Sequence, residues 1–197
     1  NSGLAKSSAA DAYTIDNSLR FNSADSAYLS RTPGVVGNRR VATLSAWVKI
    51  GAIGTNRFFF YVSDGSDEFG FYFPSGDKLD AYSYVGASFE MHLATSAVYR
   101  DPSAWYHIVF VMDTEHVTQS ERQKIFVNGE RITDFSTETE FDEDDDTVLN
   151  TASAHNIGKY SSTYMDLYAA EFYYIDGTAY DADDFGELDS TTNQWIP

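Results

Sequence analysis

The sequence contains no cysteine, which removes disulfides, zinc–thiolate centres and cysteine nucleophiles from consideration. A secreted eukaryotic module of this size often carries a bridge, so the lack of one leans towards a bacterial or viral source. Basic residues are scarce as well. The 13 Lys and Arg stand against 30 Asp and Glu, for a formal net charge of −17. Such a chain repels nucleic acid and anionic membrane, so neither is expected as a partner. No apolar run approaches the roughly 18 residues that cross a bilayer, and no membrane insertion is expected. The four histidines, His92, His107, His116 and His155, lie far apart without an H-x-x-x-H pair, and a catalytic or metal role is not expected of any of them. No G-x-S-x-G, P-loop or G-x-G-x-x-G occurs. Long amphipathic helical patterns are missing too.

What is present is aromatic and alternating. Aromatic residues make up 16% of the 197, with 14 Tyr and 14 Phe, a composition that suits strands. In V-A-T-L-S-A-W-V-K-I (41–50), Leu44, Ala46, Val48 and Ile50 fall on one face and Thr43, Ser45, Trp47 and Lys49 on the other. Further strands are expected over 26–30, 57–63, 68–73, 79–85, 88–93, 106–112, 123–128, 155–158 and 166–176. Turn residues separate them, most sharply in K-I-F-V-N-G-E-R-I, where Asn128-Gly129 predicts a type I′ hairpin. About ten short strands at this spacing predict an all-β fold, a two-sheet antiparallel jelly-roll sandwich. One helical turn is expected over 181–187, capped by Asp181 and ended by Gly186. The chain starts at Asn1 rather than Met, and its first residues are small and polar. Residues 1–16 are therefore expected to be linker, 17–190 a single domain, and 191–197 the start of a following linker.

The most conspicuous motif is F-D-E-D-D-D-T, with five consecutive carboxylates from Asp142 to Asp146. As an EF-hand loop it fails at two demanding positions, where Thr147 replaces the turn glycine and Ser153 the closing glutamate. As a glucanase strand, Glu140, Asp142 and Asp144 would share one face and converge on a sugar. Against that, Glu143 stands where the opposite face needs an apolar residue, and Asp145 and Asp146 add charges that a sheet centre does not pair. The expected reading is a solvated loop, with a weak calcium ion at its rim as the alternative and no cofactor otherwise. The aromatic residues offer a second possibility. Tyr72, Tyr82 and Tyr84 would form a platform for sugar rings if they point outward. Filling the sandwich is the preferred reading for them, which leaves Tyr160 and Tyr164, between strands, as the better exposed ligand candidates.

Six segments occur in an order that resembles the laminin-G-like (concanavalin A-like lectin/glucanase) superfamily, with pentraxins as distant cousins. They are S-L-R-F-N-S-A-D-S-A-Y-L-S, T-L-S-A-W-V-K, W-Y-H-I-V-F-V, I-F-V-N-G-E-R-I, H-N-I-G-K-Y and A-E-F-Y-Y-I-D-G. The ending A-E-F-Y-Y-I-D-G-T-A-Y-D-A-D-D-F-G-E is similar to the version found in bacteriophage tail and fibre proteins. The resemblance spans about 17–190 and implies a jelly roll of about twelve strands that binds rather than catalyses. It implies no pentraxin-type calcium pair, because Lys159 and Tyr160 follow I-G where the acidic pair would stand. Asp64 and Asp67 match the other half of such a site loosely, and they are the expected donors to any calcium. The implied job is adhesion within a virion tail or fibre, outside the cell. The partners would be a host-surface glycan or protein, sister subunits of the virion, and further copies of the chain in a homo-oligomer. A structural decoration domain without a ligand is the alternative. Recognition is expected through end loops 64–68, 141–147 and 159–165 rather than sheet faces, and the charge of −17 favours a neutral glycan or a basic protein patch.

Overall fold

The computed structural model describes residues 13–197, so most of the expected leading linker lies outside the described residues. In chain order the strands are β1 Leu19–Phe21, β2 Leu29–Arg31, β3 Val41–Ile50, β4 Arg57–Ser63, β5 Glu68–Phe73 and β6 Lys78–Val85. There follow β7 Ser88–Val98, β8 Tyr106–Asp113, β9 Gln123–Val127, β10 Glu130–Arg131, β11 Phe135–Thr139 and β12 His155–Ile157. The chain closes with β13 Lys159–Tyr160, β14 Thr163–Tyr164, β15 Leu167–Asp176, β16 Glu187–Leu188 and β17 Trp195–Ile196. The first sheet has six strands in the order β1-β15-β3-β8-β9-β10, and the second has seven in the order β11-β7-β6-β5-β4-β12-β2. The pairings are antiparallel throughout, and β13-β14 and β16-β17 form two small hairpins. This is the expected all-β jelly-roll sandwich.

Alternation explains how the sheets meet. Ala42, Leu44, Ala46, Val48 and Ile50 of β3 join Phe69, Phe71, Leu79, Ala81, Met91 and Leu93 of the second sheet in one core. Phe110 of β8 sits 5.2 Å from Phe69 and 5.6 Å from Phe71, ring to ring, across the sandwich. One buried ion pair ties down the loops at the sandwich end. Arg57 lies 2.6 Å from Asp77, which also receives the Gly54 amide and the Arg100 side chain. Burial opposes ionisation of Asp77, but the Gly54 amide and the two arginines outweigh it and hold its pKa below the usual carboxylate value.

Several expectations change in detail. The strand expected over 26–30 begins only at Leu29, after a 3-10 turn at Ser23–Asp25. The strand expected over 88–93 runs on to Val98. The helical turn over 181–187 is a single 3-10 turn, Ala182–Asp184, capped reciprocally by Asp181 and Asp184. Asn128 and Gly129 both take positive φ, 50° and 80°, as the hairpin requires.

The two outer faces are treated differently. On the first sheet Thr43, Ser45 and Trp47 do face away from the core, yet all three are buried. The C-terminal segment covers them. Thr43 Oγ1 donates to the Thr178 carbonyl and accepts from the Tyr180 amide. Ala182, Phe185 and Trp195 pack on Val109, Val111 and Phe126. Trp195 and Ile196, in the segment expected to open a linker, pair instead with Leu188 and Glu187. Among the described residues no comparable segment covers the centre of the second sheet, and the candidate site lies there.

Candidate functional site

The second sheet carries a grid on its outer face, set by strand register. Phe58, Tyr72 and Asp80 are successive partners in one row across β4, β5 and β6. Tyr61, Gly70, Tyr82 and His92 form the next, and Ser63, Glu68, Tyr84 and Phe89 the third, both reaching β7. Their neighbours in sequence, Phe69, Phe71, Phe73, Leu79, Ala81 and Ser83, turn to the core. The register thus turns Tyr72, Tyr82 and Tyr84 to the outer face, where Tyr82 is buried among its neighbours and Tyr72 and Tyr84 are half-buried. Two bulges help to bring large rings together, one between Phe58 and Phe60 and the other between Ser83 and Tyr84.

Tyr160 arrives from β13 and completes the cluster. It stacks on Phe58 at 4.4 Å and meets Tyr61 edge-on at 4.6 Å. Phe58 is in turn stacked on Tyr72 at 4.1 Å with the planes 7° apart. Phe58, Tyr72, Tyr82, Tyr84, Phe89 and Tyr160 line an open pocket of about 410 Å³, rimmed by Asn56, Ser66, Glu68 and His92. The Tyr82 hydroxyl donates to Glu68 at 3.3 Å. His92 stacks on Phe89, and its Nε2 lies 3.2 and 3.3 Å from the two carboxylate oxygens of Asp80. Burial, then the charge of Asp80, pushes the Tyr72 phenol up to about 12. Burial also raises Tyr61 and Tyr82, with Glu68 adding to each, so these phenols keep their protons as donors.

Other candidates are placed elsewhere. Tyr164 does not join Tyr160. In the β13-β14 hairpin Lys159 pairs with Tyr164 and Tyr160 with Thr163, which separates the two tyrosines onto opposite faces. Tyr164 packs with Tyr28, and Lys159 Nζ sits 4.3 Å from the Tyr28 ring centre and 5.6 Å from that of Tyr164. The acidic run is a turn, not a strand. β11 ends at Thr139, so Glu140, Asp142 and Asp144 do not share a strand face. Glu140 accepts from Gln123, Asp144 and Asp146 pair with Arg40, and Glu143 pairs with Arg122. Asp144 has φ of +66° and its amide donates to the Thr114 carbonyl. Asp64 Oδ1 accepts from the Ser66 and Asp67 amides, which hold its pKa below the usual value, while Asp67 accepts from Gly86. Among the described residues no three Asp, Glu, His or Cys side chains gather as a metal site.

Sequence reasoning missed Phe58, Phe89 and His92, and reached Glu68 only as the last residue of loop 64–68. The alternation of E-F-G-F-Y-F places Glu68 beside Tyr72 and was a usable signal. R-F-F-F-Y gives none, because the bulge decides which phenylalanine turns out.

Comparisons with known proteins now bear on this architecture. The sequence profile of the Concanavalin A-like lectin/glucanases superfamily matches residues 22–168. The chain belongs to this superfamily. Among solved structures the superfamily fold recurs in mouse laminin α1 chain domains LG4-5. The TM-score is 0.58 at 13% identity, over 86% of this chain and 44% of that one. It recurs in the Ruminococcus gnavus IT-sialidase CBM40, bound to α2,3 sialyllactose, with TM-score 0.53 and 14% identity over 79% of this chain and 95% of that one. Domain 4 of the Geobacillus stearothermophilus arabinanase AbnA, in complex with arabinotriose, gives 0.53 and 14% over 78% and 68%. The chain thus spans less than half of the laminin chain it matches. These likenesses concern the fold. No curated protein matches the chain.

Proposed function

We propose that the chain is a non-catalytic glycan-recognition module. The observation that carries the reading is the outward grid of Tyr72, Tyr82 and Tyr84, completed by Tyr160 over an open pocket. Aromatic faces stack on the apolar faces of sugar rings, while phenols, Glu68 and His92 offer hydrogen bonds to hydroxyls. Glycan-bound neighbours of the same fold, one with sialyllactose and one with arabinotriose, support this choice. The finer reading is a phage tail or fibre protein that contacts a host surface, supported by the ending A-E-F-Y-Y-I-D-G-T-A-Y-D. On that reading the module works outside the cell, beside other virion subunits, in several copies that raise avidity without new contacts. A host protein is the second ligand class of this reading. Binding needs no metal in this proposal, since the pocket is built from rings and hydrogen-bonding groups.

The test is a glycan array probed with an artificially trimerised chain, with calcium and with chelator. The expected result is binding to a defined glycan set that survives chelation. No binding to glycans or to host cells would leave a structural decoration domain as the better account.

A further inference from the structure

Resting on the glycan reading above, we infer that the pocket is built for a sugar that carries a protonated amine. The Glu68 carboxylate lines the pocket, and its side-chain hydrogen bond comes from the neutral Tyr82 hydroxyl. Among the described residues no Lys or Arg lines the pocket. The lysine nearest in sequence to the site, Lys159, is turned to the opposite face of its hairpin, over the rings of Tyr28 and Tyr164. His92, the one basic side chain on the rim, is engaged by Asp80. Among the described residues the pocket therefore has one carboxylate at its wall, a second behind His92, and no Lys or Arg to balance them.

The walls point the same way. Tyr72, Tyr82, Tyr84, Phe89 and Tyr160 are aromatic, and an aromatic face attracts a cation within about 6 Å. A carboxylate beside such faces gives an ammonium group a charge-assisted hydrogen bond as well. A sialic or uronic acid would bring a like charge against Glu68. Either an amino sugar or a lysine side chain supplies a primary ammonium. A pocket of about 410 Å³ with rings on several sides suits a pyranose better than a thin alkyl chain.

The experiment is calorimetric titration of the chain with a glucosamine oligomer, its N-acetylated counterpart, a uronate oligomer and lysine amide, at low and moderate salt. The wild type is expected to bind the glucosamine oligomer about tenfold more tightly than the acetylated one, a gap that narrows with salt. Glu68→Gln is expected to erase the gap while retaining any binding of the acetylated oligomer, which also shows that the variant is folded. Equal affinity for both oligomers, or a preference untouched by Glu68→Gln, overturns the amine inference and leaves the glycan reading standing. Tight binding of lysine amide with no binding of any sugar overturns the glycan reading and keeps the ammonium. No binding of any of the four overturns the inference outright.

Discussion

Gly70 faces Tyr61 on one side and Tyr82 on the other, in the middle of the outward grid. A Cβ there would stand 2.4 Å from the Tyr82 ring and 2.9 Å from Phe58. The missing side chain is the space in which Tyr82 lies. Gly70→Ala is therefore expected to cost about 1–3 kcal/mol by overpacking and to weaken glycan binding, measured by chemical denaturation and titration. Glu90 is a second residue whose setting matters. Its Oε2 is buried without a partner, and burial, then Asp145 and Asp67, push its pKa up to about 7 from 4.5. The folded chain holds this proton more tightly than the unfolded one. The contribution to stability is full below about 4.5 and is lost as pH rises through about 7. Glu90→Gln should raise the melting temperature at pH 8 and leave it nearly unchanged at pH 4.5, and an equal change at both would refute the assignment. Of the site, the outward side of Tyr72, Tyr82 and Tyr84 was open to inspection, since alternation sorts them from Phe71, Ala81 and Ser83. Which aromatic residue would join them from elsewhere was not, because Tyr160 lies about a hundred residues from Phe58 and only the fold brings them into contact.

The alternating β3 and β5 and the continuous apolar run of β8 were legible almost to the residue. Phe135–Thr139 was not, since F-S-T-E-T is polar on both faces, as an edge strand tolerates. The C-terminal segment was the larger miss. Two-residue strands such as β16 and β17 carry no period, so T-T-N-Q-W-I-P reads as a departing linker although it docks. Its anchor is a chain of contacts on the first sheet. Trp195 Nε1 donates to His107 Nδ1 at 2.9 Å, and His107 Nε2 meets Ser45 Oγ at 2.9 Å. A neutral imidazole accepts at Nδ1 only when unprotonated there. Burial lowers the His107 pKa to about 4 from 6.5. The unfolded chain thus takes up this proton first, and stability falls as pH drops from about 6.5 towards about 4. Tryptophan fluorescence and melting temperature at pH 7.5 and 4.5 should show that loss, and His107→Phe should reduce it. A wild type equally stable at both values would contradict the account of the anchor.

At the scale of the molecule, two sheets share one core but differ in what lies outside. The first is covered by the chain's own C-terminal segment, whereas among the described residues the second keeps Phe89 exposed and Tyr72, Tyr84 and Tyr160 half-buried on its outer face. Burial of apolar area favours covering such faces, and in the proposed function a ligand supplies that cover on the second sheet. The acidic run that dominates the sequence proves to be a turn held by Arg40 and Arg122, and the proposed recognition surface lies mainly on a sheet face. Loop 64–68 contributes Ser66 and Glu68 to that face, and loop 159–165 contributes Tyr160. The most direct measurement is titration of the best array ligand into the wild type and three single variants. Tyr84→Ala and Tyr160→Ala are each predicted to weaken binding about tenfold, the scale of one lost aromatic contact, with Tyr164→Ala unchanged. Full affinity in Tyr84→Ala and Tyr160→Ala, with loss in Tyr164→Ala, would contradict the account and return recognition to the hairpin's other face.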